Sequence, residues 1–306
     1  MTTRAPGTTA TGSAPRRRRA VRRFPFILPA AIFLAILSAY PLVQLVRMSV
    51  SAVTSRTLRD PWEFVGLDNF VRGLESGDTG AALLRTLIFV TIVFTVGMAG
   101  GLAAALALRG RRGSAGFLLA LMVFVWALPP VVNGSVWKFL MGDAGLFNEL
   151  ARATGLTETA IPFLYDQHLS LISVALVNSW AVIPFNALVF RAALLGVPPE
   201  VIEAARLDGA RPWQEAVHIL IPSVRATAVV LSVLTLVYAF RSFDFIYVMT
   251  YGGPGTSTVT LPFLAYLQAF VRYDFGLGAA TSLIAGALVV LLAIAYARNV
   301  RKEESA

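Results

Sequence analysis

The residues best placed for chemistry are Glu203-Ala204-Ala205-Arg206-Leu207-Asp208-Gly209-Ala210, closed by Ile219-Leu220-Ile221-Pro222. This short charged segment lies between two long apolar ones, so it must face water. The chemistry it offers is recognition, and we read it as a docking helix for a separate protein that supplies energy. Pro198 and Pro199 stop the preceding helix. Glu200 and Glu203 fall in the first turn of the next, where negative charge complements the helix dipole. Ala204, Ala205, Leu207 and Ala210 give a small, smooth surface that a partner's cleft can accept. Gly209 suits a left-handed helix stop. Arg211-Pro212-Trp213 then opens a second short helix over 214–220, and Pro222 begins the next apolar span. The alternative reading of Glu203 is a solvated helix-start charge, and that of Gly209 is an ordinary turn glycine, which can hold together with docking.

A second group of polar residues lies inside apolar runs, where a polar side chain costs free energy unless it is paired or lines a wet cavity. Asn133, Asn178, Trp180 and Asn186 are of this kind, with Gln44 further upstream, and Pro184 frees a backbone carbonyl toward a neighbour. Amides suit hydroxyl groups and an indole face suits a sugar ring, so these residues are candidates for a substrate path, together with Asp244 and Tyr247. Hydrogen bonding between helices is the simpler role for the same amides. Arg241 and Asp244, three apart, can pair on one helix face, and an ion pair is the preferred reading over a ligand contact. Gly97, Gly100 and Gly101 suit close helix packing.

Covalent chemistry finds little support. There is no Gly-x-x-x-x-Gly-Lys-Ser/Thr loop to hold ATP phosphates, and no glycine-flanked nucleophile or paired acid–base set. With no cysteine, and with His168 and His218 far apart, no metal spacing stands out. No cofactor is expected on this chain, which is read as not an enzyme.

The elements that must position these residues follow from composition. Of 306 residues 57% are hydrophobic and 14% charged, whereas a soluble domain is about a quarter charged. The apolar excess gathers in charge-free runs: 24–46, 86–108, 114–137, 169–190 and 276–297. Each reaches the ~20 residues that cross a hydrocarbon core. A shorter run, 226–240, becomes a span if its helix starts near Pro222, which lets Arg241 snorkel at the far headgroups. The fold class is therefore all-α: a polytopic membrane protein with six transmembrane helices over about 24–48, 84–108, 114–137, 169–190, 222–248 and 276–297, and a helix-turn-helix loop over 191–221. Residues 1–23 read as a disordered basic tail and 298–306 as a second tail. Arg22-Arg23-Phe24 resembles a twin-arginine export signal, but the following run exceeds a signal peptide's core and lacks a small-x-small cleavage site.

Lys and Arg total 17 on the segments that alternate onto one face (1–23, 109–113, 191–225 and 298–306) and 6 on the opposite loops (51–83, 138–168 and 249–275). The basic excess belongs inside, so both termini and the 191–221 loop are expected in the cytoplasm. The net charge of +9 thereby has a membrane explanation and does not call for nucleic acid. The 138–168 loop, with Gly142, Gly145, Gly155 and Pro162, reads as an ordered lid.

The spacing Glu-Ala-Ala, two residues, Asp-Gly-Ala, then Ile-x-x-Pro resembles the EAA loop of permease subunits of binding-protein-dependent ABC importers. Val65-Gly66-Leu67-Asp68-Asn69-Phe70, Trp126-Ala127-Leu128-Pro129-Pro130, and Phe243-Asp244-Phe245-Ile246-Tyr247-Val248-Met249-Thr250 before Gly252-Gly253-Pro254-Gly255 are similar to the carbohydrate-uptake branch, of the maltose and glycerol-3-phosphate type. The matches run in order over nearly all of residues 24–297. The resemblance implies that Glu203, Ala204, Ala205, Asp208, Gly209, Ala210, Trp213 and Pro222 form the seat on a cytoplasmic ATP-binding cassette ATPase, which carries the ATP and Mg. It further implies a second permease subunit, as a heterodimer, an extracytoplasmic solute-binding protein, and a place in the bacterial cytoplasmic membrane. The chain departs from the pattern at Ala216, where an aromatic is usual, and at Ala226, where a proline is frequent; Trp213, one turn before Ala216, can supply the bulk.

The expected function is ATP-driven import of a sugar or oligosaccharide. The rivals are a non-sugar solute such as glycerol phosphate, a gradient-driven secondary transporter, which would need buried ionisable groups in the spans, and a membrane scaffold.

Overall fold

The structure is a computed structural model that describes residues 24–110 and 113–304. The tail over 1–23, Arg111 and Arg112 of the basic loop, and residues 305–306 lie outside the described residues. The chain divides into two units, Met1–Gln44 and Leu45–Ala306. The first contributes most of helix α1 (Phe24–Ser49), which carries Pro29 and Pro41 within it.

The second unit is helical apart from a two-stranded antiparallel ribbon, β1 (Ser51–Ala52) with β2 (Glu63–Phe64). Its helices are α2 (Asp68–Glu75), α3 (Asp78–Ala107), α4 (Gly113–Ala127), α5 (Pro130–Leu140), α6 (Leu146–Ala153) and α7 (Leu169–Leu194). They continue with α8 (Pro199–Leu207), α9 (Pro212–Glu215), a π-helical turn (Ala216–Leu220), α10 (Ile221–Ser223), α11 (Arg225–Arg241) and α12 (Asp244–Met249). The last are α13 (Leu261–Tyr266), a second π-helical turn (Leu267–Val271) and α14 (Phe275–Glu304). Among the described residues five helices are long and apolar enough to cross a membrane, and the bent pair α4–α5 makes a sixth when counted as one span.

Helices α3 and α7 form the centre, and glycine sets their separation. A Cβ on Gly97 would lie 2.6 Å from Val182 Cγ1, and one on Gly101 2.5 Å from Asn186 Cβ. Without hydrophobic force between helices in lipid, such close backbone approach supplies the dispersion that holds them together. Around this pair one buried cluster includes Phe89, Val93, Val174, Phe245, Ile246 and Phe263. A second, at the other end, joins Ala105, Phe190, Leu194, Ile202, Leu220, Val224 and Leu231.

The third span departs from the expected single helix over 114–137. It breaks after Ala127 and resumes at Pro130, with the two arms bent by 103°. Pro129 is extended (φ −54°, ψ 135°), has no N–H to continue the ladder, and biases Leu128 away from helix. The fifth span differs as well. It begins at Arg225, not Pro222, because Val224 (φ −98°, ψ 12°) interrupts the helix and leaves Pro222 inside the preceding turn. It breaks again at Ser242 (φ −66°, ψ 114°). That break removes the i,i+3 relation between Arg241 and Asp244, both exposed, and among the described residues they form no ion pair. The final helix continues to Glu304, through most of the expected tail.

The 138–168 loop is ordered by Asn148, which is fully buried. Its amide donates to the carbonyls of Gly142 (3.0 Å) and Ile161 (3.1 Å) and accepts from the Ile161 N–H (2.7 Å). Asp166 accepts from the His168 and Leu169 N–H groups at 2.8 Å each, at the start of α7. These backbone bonds, that of Leu169 first, hold its carboxyl below the usual range. Asn69, also buried, donates to the Ser49 and Ser51 carbonyls at 2.9 Å each and so anchors α2 to the ribbon.

Candidate functional site

Two places in the second unit combine geometry with usable chemistry. The first is a cavity of ≈ 330 Å³ in the elbow between α4 and α5, walled by α7, α11 and α12. The proline break opens it, since irregular backbone at this depth is tolerated where it lines a cavity. Trp126 and Phe185 stack at 5.7 Å on its wall. Asn133, Thr235, Tyr238 and Phe245 complete the chemistry. Asn133 is 4% exposed, and neither its carboxamide nor the Tyr238 hydroxyl has a hydrogen-bond partner among the described residues. The cavity thus offers amide and hydroxyl groups beside aromatic faces, with no Lys, Arg or His among its described lining residues.

The second is the segment over 199–223. Helix α8 ends in a pair of reversed hydrogen bonds, Ala210 N–H to Ala205 O (2.9 Å) and Gly209 N–H to Arg206 O (3.0 Å). Gly209 takes φ +83°, the left-handed conformation that such a stop needs. Pro212 starts α9, and the Gln214 carboxamide accepts from the Arg211 N–H at 2.8 Å. The tip is apolar and open to solvent: Leu207 is 89% and Trp213 58% exposed. Beneath it, Ile202 and Leu220 pack into the cluster shared with α3 and α7.

Residues 97–304 match the family described as the binding-protein-dependent transport system inner membrane component. The chain belongs to that family. This permease is 30% identical over 234 residues to the trehalose/maltose transport system permease protein MalF of Thermococcus litoralis, covering 76% of this chain and 78% of that one. It is 35% identical over 243 residues to the sn-glycerol-3-phosphate transport system permease protein UgpA of Rhizobium meliloti, covering 78% and 81%. Its fold is similar to a chain in the crystal structure of a bacterial ABC transporter involved in the import of the acidic polysaccharide alginate. There the TM-score is 0.77 at 21% identity, covering 91% of this chain and 94% of that one. The permease is thus a multi-pass membrane protein of all-α fold.

Of the residues singled out in the sequence, Asn133 lines the elbow cavity. Asn178 and Asn186 do not: both are fully buried between helices. The Asn178 amide donates to the Ser242 hydroxyl at the α11–α12 break, and Asn186 accepts from Thr235 at 3.2 Å. Trp180 is half-exposed and meets Trp137 edge-on at 5.9 Å, away from the cavity lining. Tyr247 stacks on Phe243 at 5.4 Å within an aromatic run that continues to Tyr251 and Tyr266. Asp244 starts α12 and is exposed.

Glu203, Ala204, Asp208, Gly209 and Trp213 are all exposed on the 199–223 segment, with Ala205, Ala210 and Pro222 partly so. The aromatic missing at Ala216 is not replaced in place by Trp213, which turns outward and lies 6.3 Å from the His218 ring. Ala216 instead lines a cleft of ≈ 850 Å³ beside Glu203, Arg206 and Glu215. Sequence reasoning missed Phe185, Thr235 and Tyr238 in the elbow. The available signal was Pro129-Pro130, which opens the wall that they line.

Proposed function

We propose that this permease is one half of the pore of an ATP-driven importer of a sugar or oligosaccharide, with both termini and the 199–223 segment in the cytoplasm. The observation that carries this reading is the elbow cavity, where the unpartnered Asn133 amide and Tyr238 hydroxyl lie beside the Trp126–Phe185 stack. Sugar hydroxyls need amide and hydroxyl partners, and the apolar face of a pyranose sits on an aromatic ring. The trehalose/maltose and diacetylchitobiose systems named for two relatives favour the same solute class, while the UgpA relatives are named for sn-glycerol-3-phosphate. A glycerol phosphate is the weaker candidate, because its phosphate would find no cation among the described lining residues.

Energy enters at the other site. Leu207 and Trp213 present apolar surface around Glu203, Asp208 and Gly209, a shape suited to a groove in a separate ATPase, which binds ATP and Mg. ATP-driven closure of paired ATPases moves this segment, and the movement passes through the cluster of Ile202, Leu220 and Val224 to α7 and α11. A second permease completes the pore, and an extracytoplasmic binding protein delivers the sugar. Glu215 is the one buried Asp, Glu, Lys, Arg or His among the described residues, and it lies outside the spans. Among the described residues spans one to four and six therefore hold no buried ionisable side chain, and only the fifth carries an exposed pair, Arg241 and Asp244, which counts against a gradient-driven carrier.

The test is purification of the tagged chain from its native membrane, followed by reconstitution in liposomes. Recovery of an ATPase and a second permease, with ATP-dependent uptake of a radiolabelled disaccharide presented by the co-expressed binding protein, is expected. Recovery of the chain without an ATPase contradicts the reading.

A further inference from the structure

The two cytoplasmic helices of the docking segment are tied by a contact that neither the motif nor the family description assigns. Arg206, in the last turn of α8, donates to Glu215, the last residue of α9, through Nε to Oε1 at 2.8 Å and Nη2 to Oε2 at 3.2 Å. The Glu215 side chain is 6% exposed, whereas that of Arg206 is 63% exposed. A carboxylate removed from water is costly unless it is paired and hydrogen-bonded. The bidentate fork meets that need in one orientation only. Swinging α9 away from α8 would leave Glu215 buried without its partner, so the angle between the helices is fixed by this contact. Arg109, two residues beyond the end of α3, lines the same ≈ 850 Å³ cleft and helps to hold the Glu215 carboxyl below its usual range, behind the larger effect of the Arg206 hydrogen bond.

Between the two helices lies only the left-handed turn at Gly209, where a Cβ would meet nothing within 4 Å. Beyond Glu215 the backbone becomes π-helical over Ala216–Leu220, a rare form that occurs as single-turn bulges within helices. A push on the exposed tip would bend the segment at the Gly209 turn unless something spanned it, and the Arg206–Glu215 contact does so.

We propose that Arg206 and Glu215 are the positioning pair that makes α8 and α9 one rigid lever, so that force applied at the tip reaches the pore helices and is not lost in bending. The pair touches neither solute nor nucleotide. This inference rests on the docking role proposed above, and it goes further by naming the contact that keeps the docked element stiff.

The chain has no cysteine, so two can be placed cleanly. Val201→Cys on α8 and Val217→Cys on the π-helical turn lie at positions 45% and 50% exposed. Both carry spin labels in the complete reconstituted importer, and the distance distribution is measured with and without ATP plus vanadate. With the native pair a single narrow distribution is expected in both states. With Glu215→Gln a second population should appear. The ratio of displaced to seated arrangements should rise roughly tenfold, the scale of one charge-assisted hydrogen bond expressed as an equilibrium. Disaccharide transported per ATP should fall while its KM is unchanged and the ATPase still co-purifies. Arg206→Lys, which keeps the charge, should retain more of the seated population than Arg206→Gln. If Glu215→Gln fails to reach the membrane, Arg206→Gln at the exposed partner makes the same test. An unchanged narrow distribution and unchanged yield per ATP in the variant that assembles would overturn the proposal. Absence of an ATPase from the native preparation would instead overturn the docking role itself.

Discussion

Thr235 on α11 donates its hydroxyl to Asn186 Oδ1 on α7 across 3.2 Å. Thr235 also lines the elbow cavity, while Asn186 lies behind it, fully buried against the glycine-lined face of α3. The two residues therefore tie the cavity wall to the central helix pair. Thr235→Val keeps the shape and removes the donor. We expect a loss of about 1 kcal/mol, the size of one interhelical hydrogen bond in a membrane protein. A fall in the midpoint of thermal unfolding of the detergent-purified importer, with the complex still assembled, is the measurement that checks it.

Asn133→Ala removes a cavity amide that has no protein partner to strand. Folding should be little affected, whereas KM for the transported disaccharide should rise roughly tenfold, the effect of one lost hydrogen bond to a bound solute. Transport kinetics in liposomes decide the matter: an unchanged KM would place the solute elsewhere.

Gly101→Leu brings a branched side chain to a point where even a Cβ would lie 2.5 Å from Asn186 Cβ and 3.1 Å from backbone. Backbone cannot yield as a flexible side chain does, so α3 and α7 must separate. We expect severe destabilisation, above about 3 kcal/mol, seen as loss of monodisperse protein after membrane extraction. Gly80→Leu, where nothing lies within 4 Å, serves as the tolerated control.

The 199–223 segment has a defined acid limit. Glu215 is held below its ordinary value of 4.5, first by the hydrogen bond from Arg206, then by the charges of Arg206 and Arg109 against the opposing effect of burial. A lowered folded-state value means that the unfolded chain takes up the proton first. The stabilisation is therefore fully present above pH 4.5 and is lost as pH falls through the lower folded value. Proteolytic susceptibility of the 199–223 segment should be flat above that pH and rise below it. In Glu215→Gln the acid-induced rise should be reduced.

Much of this architecture was legible in the sequence because lipid imposes length. A charge-free run such as 169–190 has few options other than a spanning helix, and the structure provides it as Leu169–Leu194. Gly209 was equally legible, since a glycine after a short amphipathic run signals a left-handed stop, and its φ is +83°. The elbow was harder to see. Trp126 and Pro129-Pro130 stood in plain view, but the 114–137 run is apolar throughout, and hydropathy does not register a 103° bend. Asn178 and Asn186 look the same in sequence as Asn133. Only the packing of α7 against α3, α11 and the Ser242 break shows that the first two are buried and hydrogen-bonded between helices, with the Asn178 Oδ1 left without a partner, and that the third faces a cavity. Arg206 and Glu215 lie nine residues apart across a turn, beyond the reach of any helical spacing rule.

The central claim is that the 199–223 segment receives the force of a separate ATPase, and Gly209→Pro beside Glu203→Lys tests it most directly. Proline cannot adopt φ +83° and lacks the N–H that bonds Arg206 O, so the turn must open. The lysine reverses an exposed charge on α8. Both variants should reach the membrane in normal amount. ATP-driven disaccharide uptake by the reconstituted importer should fall to background in each. Native uptake in both variants, at equal protein level, would contradict the account.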